Sequence, residues 1–341
     1  ASKKPRWQES AQVYSKFRGA AQSVWNVNDV IARPIFAEWQ GAHAYLSIHT
    51  NGYKPDVGTG TSSFIHDTSP TQGSSTLQTK IHGELIRTIR GLWDKSWYDR
   101  GKKTANFGEL RELKTMPGTL VEIAFHDNSK KDNPFLHHPH FRRDTARAMY
   151  KGLMRYLAPN KPVAPLPPSH LQGSNLGQGK VRISWRASTD PLDTVAAKPT
   201  QYRVYLSKDG YAFDQGRDTS SASLELNNLA SGQLLFFRVA ARNSGGESFP
   251  SEILGLRVGD APQVLLVQGY DRRDRYVKEI DNPYDTAVVH VWALANTYPG
   301  FAFDVASNEA VEDKQQKLDS YQAIFWNIGR ESTKDETFSS K

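Results

Sequence analysis

Apolar residues recur every three or four positions through LQTKIHGELIRTIRGLW, placing Leu77, Ile81, Leu85, Ile89 and Leu92 along one side of a predicted helix. Two neighbouring segments alternate instead. In AYLSIH, Tyr45, Ser47 and His49 share one face and Leu46 and Ile48 the other; in GTLVEIAFH, Val121, Ile123 and Phe125 oppose Glu122, Ala124 and His126. Both read as strands. ESAQVYSKFRGA predicts a helix ending near Gly19, and DTARAMYKGLMRYL a closing helix. Helices interleaved with apolar strands between Trp7 and Tyr156 predict an α/β layer with a mainly parallel sheet.

The pattern changes twice further on. Prolines crowd residues 159–168, the composition of an extended spacer, so the first domain is taken as 1–158 and the linker as 159–168. From 169 to 258, alternating runs such as KVRISW, QYRVYLS, SLELNNL and QLLFFRVAARN are separated by turn-rich stretches, the pattern of an all-β sandwich. Trp185 on an early core strand, Tyr202 and Tyr205 on a middle strand, and LLFFRVAARNSGGESFPSE near the end resemble a fibronectin type III domain. Residues 259–341 return to apolar strands near Val264 to Val267 and Ala323 to Trp326, with TAVVHVWALA and FAFDVASNEAV between them, and read as an incomplete α/β domain. VQGYDR lacks the G-x-G-x-x-G spacing of a dinucleotide site and reads as a strand-to-loop turn.

With 341 residues the chain suits two or three domains, and its formal charge of +7 attracts polyanions: nucleic acid, anionic membrane or acidic envelope polymers. Lys and Arg are dispersed beside Asp and Glu without a zinc-finger or RNP-type motif, so specific nucleic-acid binding is not expected. There is no cysteine, which excludes disulfides, thiolate ligands and a Cys nucleophile; any metal would be held by His, Asp or Glu. No apolar run is long enough to span a bilayer, and the opening Ala1-Ser2-Lys3-Lys4 carries no signal-peptide core. A G-x-S-x-G elbow is absent, which argues against a serine hydrolase. Nothing in the sequence sets an oligomeric state.

The candidate chemistry gathers at the ends of the two strands. His49 stands at the C-terminal end of its strand, where open α/β sheets hold ligands; it is either a metal ligand or a hydrogen-bonded strand-end histidine. Glu122 interrupts an apolar run, and burying a carboxylate there costs several kcal/mol, roughly, unless it is paired, metal-bound or protonated. It is either the partner of an arginine such as Arg100, Arg111 or Arg142, or a general acid/base whose pKa burial raises into a useful range. His137, His138 and His140 in FLHHPHFRR read as exposed loop histidines, because adjacent side chains point apart and no acidic partner has ligand spacing.

Taken together, the two strands resemble the zinc-dependent N-acetylmuramoyl-L-alanine amidases, which cut the bond between the lactyl group of the glycan and the stem peptide of peptidoglycan. The likeness runs from about Trp7 to Leu157. AYLSIHTNG is similar to the family motif whose histidine binds zinc, MPGTLVEIAFHDN to the motif carrying the catalytic glutamate, and DRGKKTANFGELRELKTMPG to the segment leading into it. The resemblance implies His49 as a zinc ligand and Glu122 as the catalytic residue, with Zn2+ as cofactor. Asn51, Arg111 and His126 are candidates for contact with the substrate, and Arg111 is equally placed to form a salt bridge with Glu109 or Glu112. The family's Gly-His-Gly motif and first-helix glutamate have no clear counterpart before His49; Glu9 is a candidate for the glutamate, and His66 and His126 are further candidate ligands. The expectation is that the first strand and helix are absent from this chain.

The order of an amidase, a fibronectin-like module and an α/β domain resembles large secreted bacterial multidomain proteins sometimes described as xanthan lyases. It implies a secreted or periplasmic cell-wall hydrolase acting on peptidoglycan or another anionic envelope polymer. The alternative is an amidase-fold envelope protein that binds peptidoglycan or serves a structural role without catalysis.

Overall fold

The computed structural model describes residues 10–270, 286–297 and 300–329, and divides into two compact units, Ala1–Lys161 and Pro162–Lys341. The first opens with three short helices, α1 (Ala11–Phe17), α2 (Gln22–Trp25) and α3 (Asp29–Trp39). Ser10 caps α1 by accepting from the Val13 N–H, and its hydroxyl donates to Asp29 Oδ1 at 2.7 Å, which ties the first helix to the third. Next come β1 (Tyr45–Asn51), β2 (Thr61–Ile65), α4 (Ser74–Leu92), β3 (Asp99–Thr104), α5 (Gly108–Arg111), β4 (Gly118–Phe125), α6 (Asp132–His137) and α7 (Pro139–Leu157).

The sheet has four strands in the order β1-β4-β2-β3. β1 runs parallel to β4 and β2 parallel to β3, while β2 and β4 are antiparallel, so the sheet is mixed but mainly parallel. The face that carries Val121 and Ile123 packs on α4 and α7. Leu77, Ile81, Leu85 and Ile89 are completely buried there, each side chain contributing about 1.5–3 kcal/mol. Leu92 departs from the predicted stripe: it ends α4 and is 38% exposed, while Trp93 continues the packing. α4 and α7 approach closely at Gly152, where a Cβ would stand 2.6 Å from the Ile81 Cα.

Two strands had no apolar signature. β2 buries Thr61, Ser62 and Ser63 completely. Thr61 Oγ1 donates to the Ile123 carbonyl at 2.6 Å and accepts from the Trp97 indole at 2.8 Å, and Ser63 is bonded to His82 at 3.0 Å. β3 is an edge strand bearing Lys102 and Lys103, charges that discourage further strand pairing.

The second unit begins with a sandwich of β5 (Ser169–Gly177), β6 (Lys180–Arg186), β7 (Gln201–Ser207), β8 (Arg217–Thr219), β9 (Ser223–Leu226), β10 (Leu234–Asn243), β11 (Gly246–Glu247) and β12 (Leu254–Arg257). Trp185 and Tyr202 meet edge to face in its core at 5.3 Å, whereas Tyr205 lies outward, with Arg238 over its ring at 5.5 Å. β13 (Val264–Gln268), α8 (Thr286–Thr297), β14 (Phe303–Ser307), α9 (Asn308–Glu312) and β15 (Ala323–Asn327) follow. β13 lies between β14 and β15, parallel to both.

Residues 169–258 and 259–329 share one sheet, because β5 pairs antiparallel with β14 and β12 meets β14 at Arg257 and Phe303. A buried carboxylate secures the join. Asp304 Oδ1 accepts from the Asn175 backbone and side-chain N–H groups at 2.8 and 2.9 Å, and Oδ2 from the Tyr321 hydroxyl at 2.8 Å. Burial pushes the pKa of Asp304 up despite these bonds.

Candidate active site

β1 and β4 run side by side in parallel, with His49 in register with Glu122, and across the antiparallel ladder Glu122 is in register with Ser62. These residues therefore form a row over three strands on the face turned away from α4 and α7. The row is unusually polar for a sheet interior. Both Glu122 Oε2 and Ser62 Oγ are buried without a hydrogen-bond partner among the described residues, a cost of roughly 1–3 kcal/mol for each such group. Burial raises the Glu122 pKa, the negative charge of Glu109 adds to the effect, and the result is about 7.

Glu109 is the residue the sequence reading missed. Its place in the sequence offers it only as a salt-bridge partner of Arg111, yet it is 6% exposed. α5 aims its Oε1 to 3.2 Å from His49 Nε2, with Arg33 Nη1 at 3.7 Å. The same His49 nitrogen lies 2.9 Å from Ser47 Oγ. Tyr45, two residues back on the same face, is pushed up to about 12 by burial. FGELREL carries two glutamates, Glu109 and Glu112, and nothing in the sequence tells the buried one from the other.

The arginine pairing considered for Glu122 is not made by Arg100 or Arg111. Arg100 stacks on the Phe125 ring at 5.0 Å, and Arg111 binds Asn106 Oδ1 at 2.9 Å and Glu112 at 3.4 Å on the surface. Asn51 ends β1, accepting from the Gly52 N–H on its side chain at 2.8 Å and from the His126 N–H on its carbonyl at 2.9 Å. His126 is exposed at the same sheet edge, with Nδ1 3.1 Å from Thr50 Oγ1.

Asn51 and His126 thus border the C-terminal edge where His49 sits. His66 does not: it follows β2, which runs opposite to β4, and so lies at the other end of the sheet. His138 caps α7 by accepting from the His140 N–H at 3.2 Å and packs on Trp93 at 4.8 Å, a structural use of that histidine. Glu9 lies outside the described residues.

A catalytic zinc takes three protein donors and keeps one position open. His49 and Glu109 bring two donor atoms together, but among the described residues no group of three His, Asp or Glu side chains is placed to hold a metal. These side chains by themselves do not fit a zinc site. What the row offers is a carboxyl group that gains or loses a proton near neutrality, beside an imidazole held by two oxygens.

The profile of the N-acetylmuramoyl-L-alanine amidase family matches residues 17–155, and that of the fibronectin type III domain residues 166–255. The chain thus carries an amidase-family domain followed by a fibronectin type III domain. A Bacillus anthracis protein described as an uncharacterized cell wall amidase is 35% identical over 38% of this chain and 24% of its own length. The sporulation-specific N-acetylmuramoyl-L-alanine amidase of Bacillus subtilis is 39% identical over 33% of this chain and 40% of its own. This chain spans less than half the length of either relative. Among solved structures, the catalytic domain of CwlV, an N-acetylmuramoyl-L-alanine amidase from Bacillus (Paenibacillus) polymyxa, aligns over 38% of this chain and 65% of its own at 25% identity, with a TM-score of 0.33. No described helix is long and apolar enough to cross a membrane.

Proposed function

We propose that the first unit is the catalytic part of a secreted or periplasmic cell-wall amidase that hydrolyses the N-acetylmuramoyl-L-alanine bond of peptidoglycan. The family match supports the reaction class. The observation that carries the residue assignment is the row of His49, Glu122 and Ser62, in which Glu122 holds a pKa of about 7 and a buried, unpartnered oxygen.

Amide hydrolysis needs a base to take a proton from the attacking water and an acid to deliver one to the leaving amine. A carboxyl poised near neutrality does both in turn, and Glu122 is the group assigned to that shuttle. His49, braced by Ser47 and Glu109, presents its imidazole next to the carboxyl. Asn51, His126 and Arg111 are assigned to the substrate. The zinc of the resemblance would polarise the scissile carbonyl and lower the pKa of its bound water. His49 is its assigned ligand, but the described residues leave the donor set short, and no step is routed through the metal. The charge of +7 suits an anionic wall polymer.

The test is incubation of the full chain with purified peptidoglycan, with and without added zinc, reading released stem peptides that begin with a free L-alanine amine by mass spectrometry. Release by the wild type and its loss in Glu122→Gln, with the fold intact, is the expected result. Co-sedimentation with peptidoglycan and no released peptide under either condition would overturn catalysis in favour of a binding role.

A further inference from the structure

The chain contains one Asn-Gly pair, Asn51-Gly52, at the end of β1. The pairing of β1 with β4 slips between His49 and Asn51, so the ladder is irregular where the pair begins. Asn51 is partly buried and Gly52 exposed. The Asn51 side chain turns toward its own following peptide: the Gly52 N–H donates to Asn51 Oδ1 at 2.8 Å. With a C=O bond of about 1.23 Å, the Gly52 nitrogen lies within about 4 Å of Asn51 Cγ, close to the arrangement that closes a five-membered ring. Glycine adds no side chain to obstruct that closure.

His126 lies against the same pair. A Cβ on Gly52 would stand 2.8 Å from His126 Nε2, the His126 N–H donates to the Asn51 carbonyl at 2.9 Å, and His126 Nδ1 is 3.1 Å from Thr50 Oγ1. When Nδ1 carries the proton and gives it to Thr50, Nε2 keeps a lone pair facing Gly52. Asn128 is held differently. It accepts from the Lys131 N–H at 2.9 Å and donates to the Gly58 carbonyl at 2.7 Å, while the N–H of the next residue, Ser129, donates to Asp56 at 2.7 Å. There both the side-chain amide and the following nitrogen are committed elsewhere.

We propose that Asn51-Gly52 is a self-modification site, at which the folded protein converts Asn51 to aspartate or isoaspartate with His126 as the base. Nε2 takes the Gly52 amide proton, the nitrogen bonds to Cγ, and the Cγ–NH2 bond breaks; the imidazolium returns the proton and ammonia leaves. Water then opens the resulting succinimide at either ring carbonyl. One opening gives aspartate, the other isoaspartate, in which the main chain runs through the side-chain carbonyl. Either product places a new carboxylate on β1 just beyond His49. The inference does not depend on the amidase reading.

The experiment holds the full chain at neutral pH and physiological temperature and follows the peptide containing Asn51 by mass spectrometry, with electron-transfer fragmentation to separate aspartate from isoaspartate. A synthetic peptide of residues 44–53 serves as the unfolded reference. Asn51 is expected to convert in the folded chain at least as fast as in the peptide, while Asn128 stays intact over the same period. His126→Gln and His126→Phe, the second keeping a ring over Gly52, are each expected to slow conversion at least threefold. Conversion slower in the folded chain than in the peptide, conversion of Asn128 at the same rate, or a rate unchanged in either His126 variant overturns the proposal.

Discussion

Replacing Glu122 by Gln makes a prediction about stability that is separate from activity. The carboxyl of Glu122 titrates at about 7 in the folded protein against an ordinary value of 4.5. Below pH 4.5 it is protonated in both folded and unfolded chains and costs nothing. As pH rises from 4.5 to 7 the unfolded chain releases the proton first, the folded state binds more protons, and stability falls with pH. A displacement of about 2.5 units corresponds to about 3.4 kcal/mol at 1.36 kcal/mol per unit. Because the side chain is only half-buried, solvent screening reduces the expected effect to about 2 kcal/mol.

Glutamine has no proton to release, so Glu122→Gln removes this slope. Carboxylates with lowered pKa values, such as Asp29, Glu38 and Asp99, pull the other way as pH falls, but they are common to both proteins and cancel in the difference. The assay is urea unfolding at pH 4.5 and pH 8 with chelator present, read by hydrogen exchange in the peptide covering β4 so that the second unit does not contribute. The variant gains about 2 kcal/mol on the wild type between the two pH values. A difference independent of pH would refute the assignment of a buried, proton-binding carboxyl to Glu122.

Two further outcomes follow from neighbouring groups. Removing the Glu109 charge in Glu109→Gln lowers the Glu122 titration midpoint, observed by carboxyl carbon-13 NMR, though only in part because burial is the larger cause; an unchanged midpoint refutes the coupling. Asp132 is completely buried and accepts from the Thr59 hydroxyl at 2.6 Å and from the Gly60 and Phe125 N–H groups, each at 2.9 Å. Asp132→Ala leaves two buried N–H groups unpaired and should cost about 2–6 kcal/mol, with Asp132→Asn milder because its one oxygen can serve both; equal losses in the two variants by the same exchange assay would contradict this account.

Much of the architecture was readable from periodicity. The buried stripe of α4, the alternation of β1 and β4, and the core pair Trp185 and Tyr202 all followed from side chains that must leave water, and such side chains announce their spacing in the sequence. His49 and Glu122 were legible for the complementary reason: each is a polar residue set against an apolar run, a cost that asks for an explanation. β2 and β3 were not legible. The first meets its burial through hydroxyl bonds to Ile123, Trp97 and His82, and the second is a charged edge strand, so neither carries an apolar pattern.

The sequence by itself determined the elements that carry an apolar pattern, the order of its segments, and His49 and Glu122 as polar residues set against apolar runs, because local sterics and hydrophobic burial act through spacing along the chain. Only the tertiary structure decided that Glu109 reaches His49, that Ser62 completes the row beside Glu122, that β5 joins the sheet of β14, and that Gln268 links Thr286 of α8 to Asn327 of β15. Those outcomes depend on which residues from distant parts of the chain share a low-dielectric neighbourhood. Register and packing set that neighbourhood, and neither is written in the spacing of any single segment.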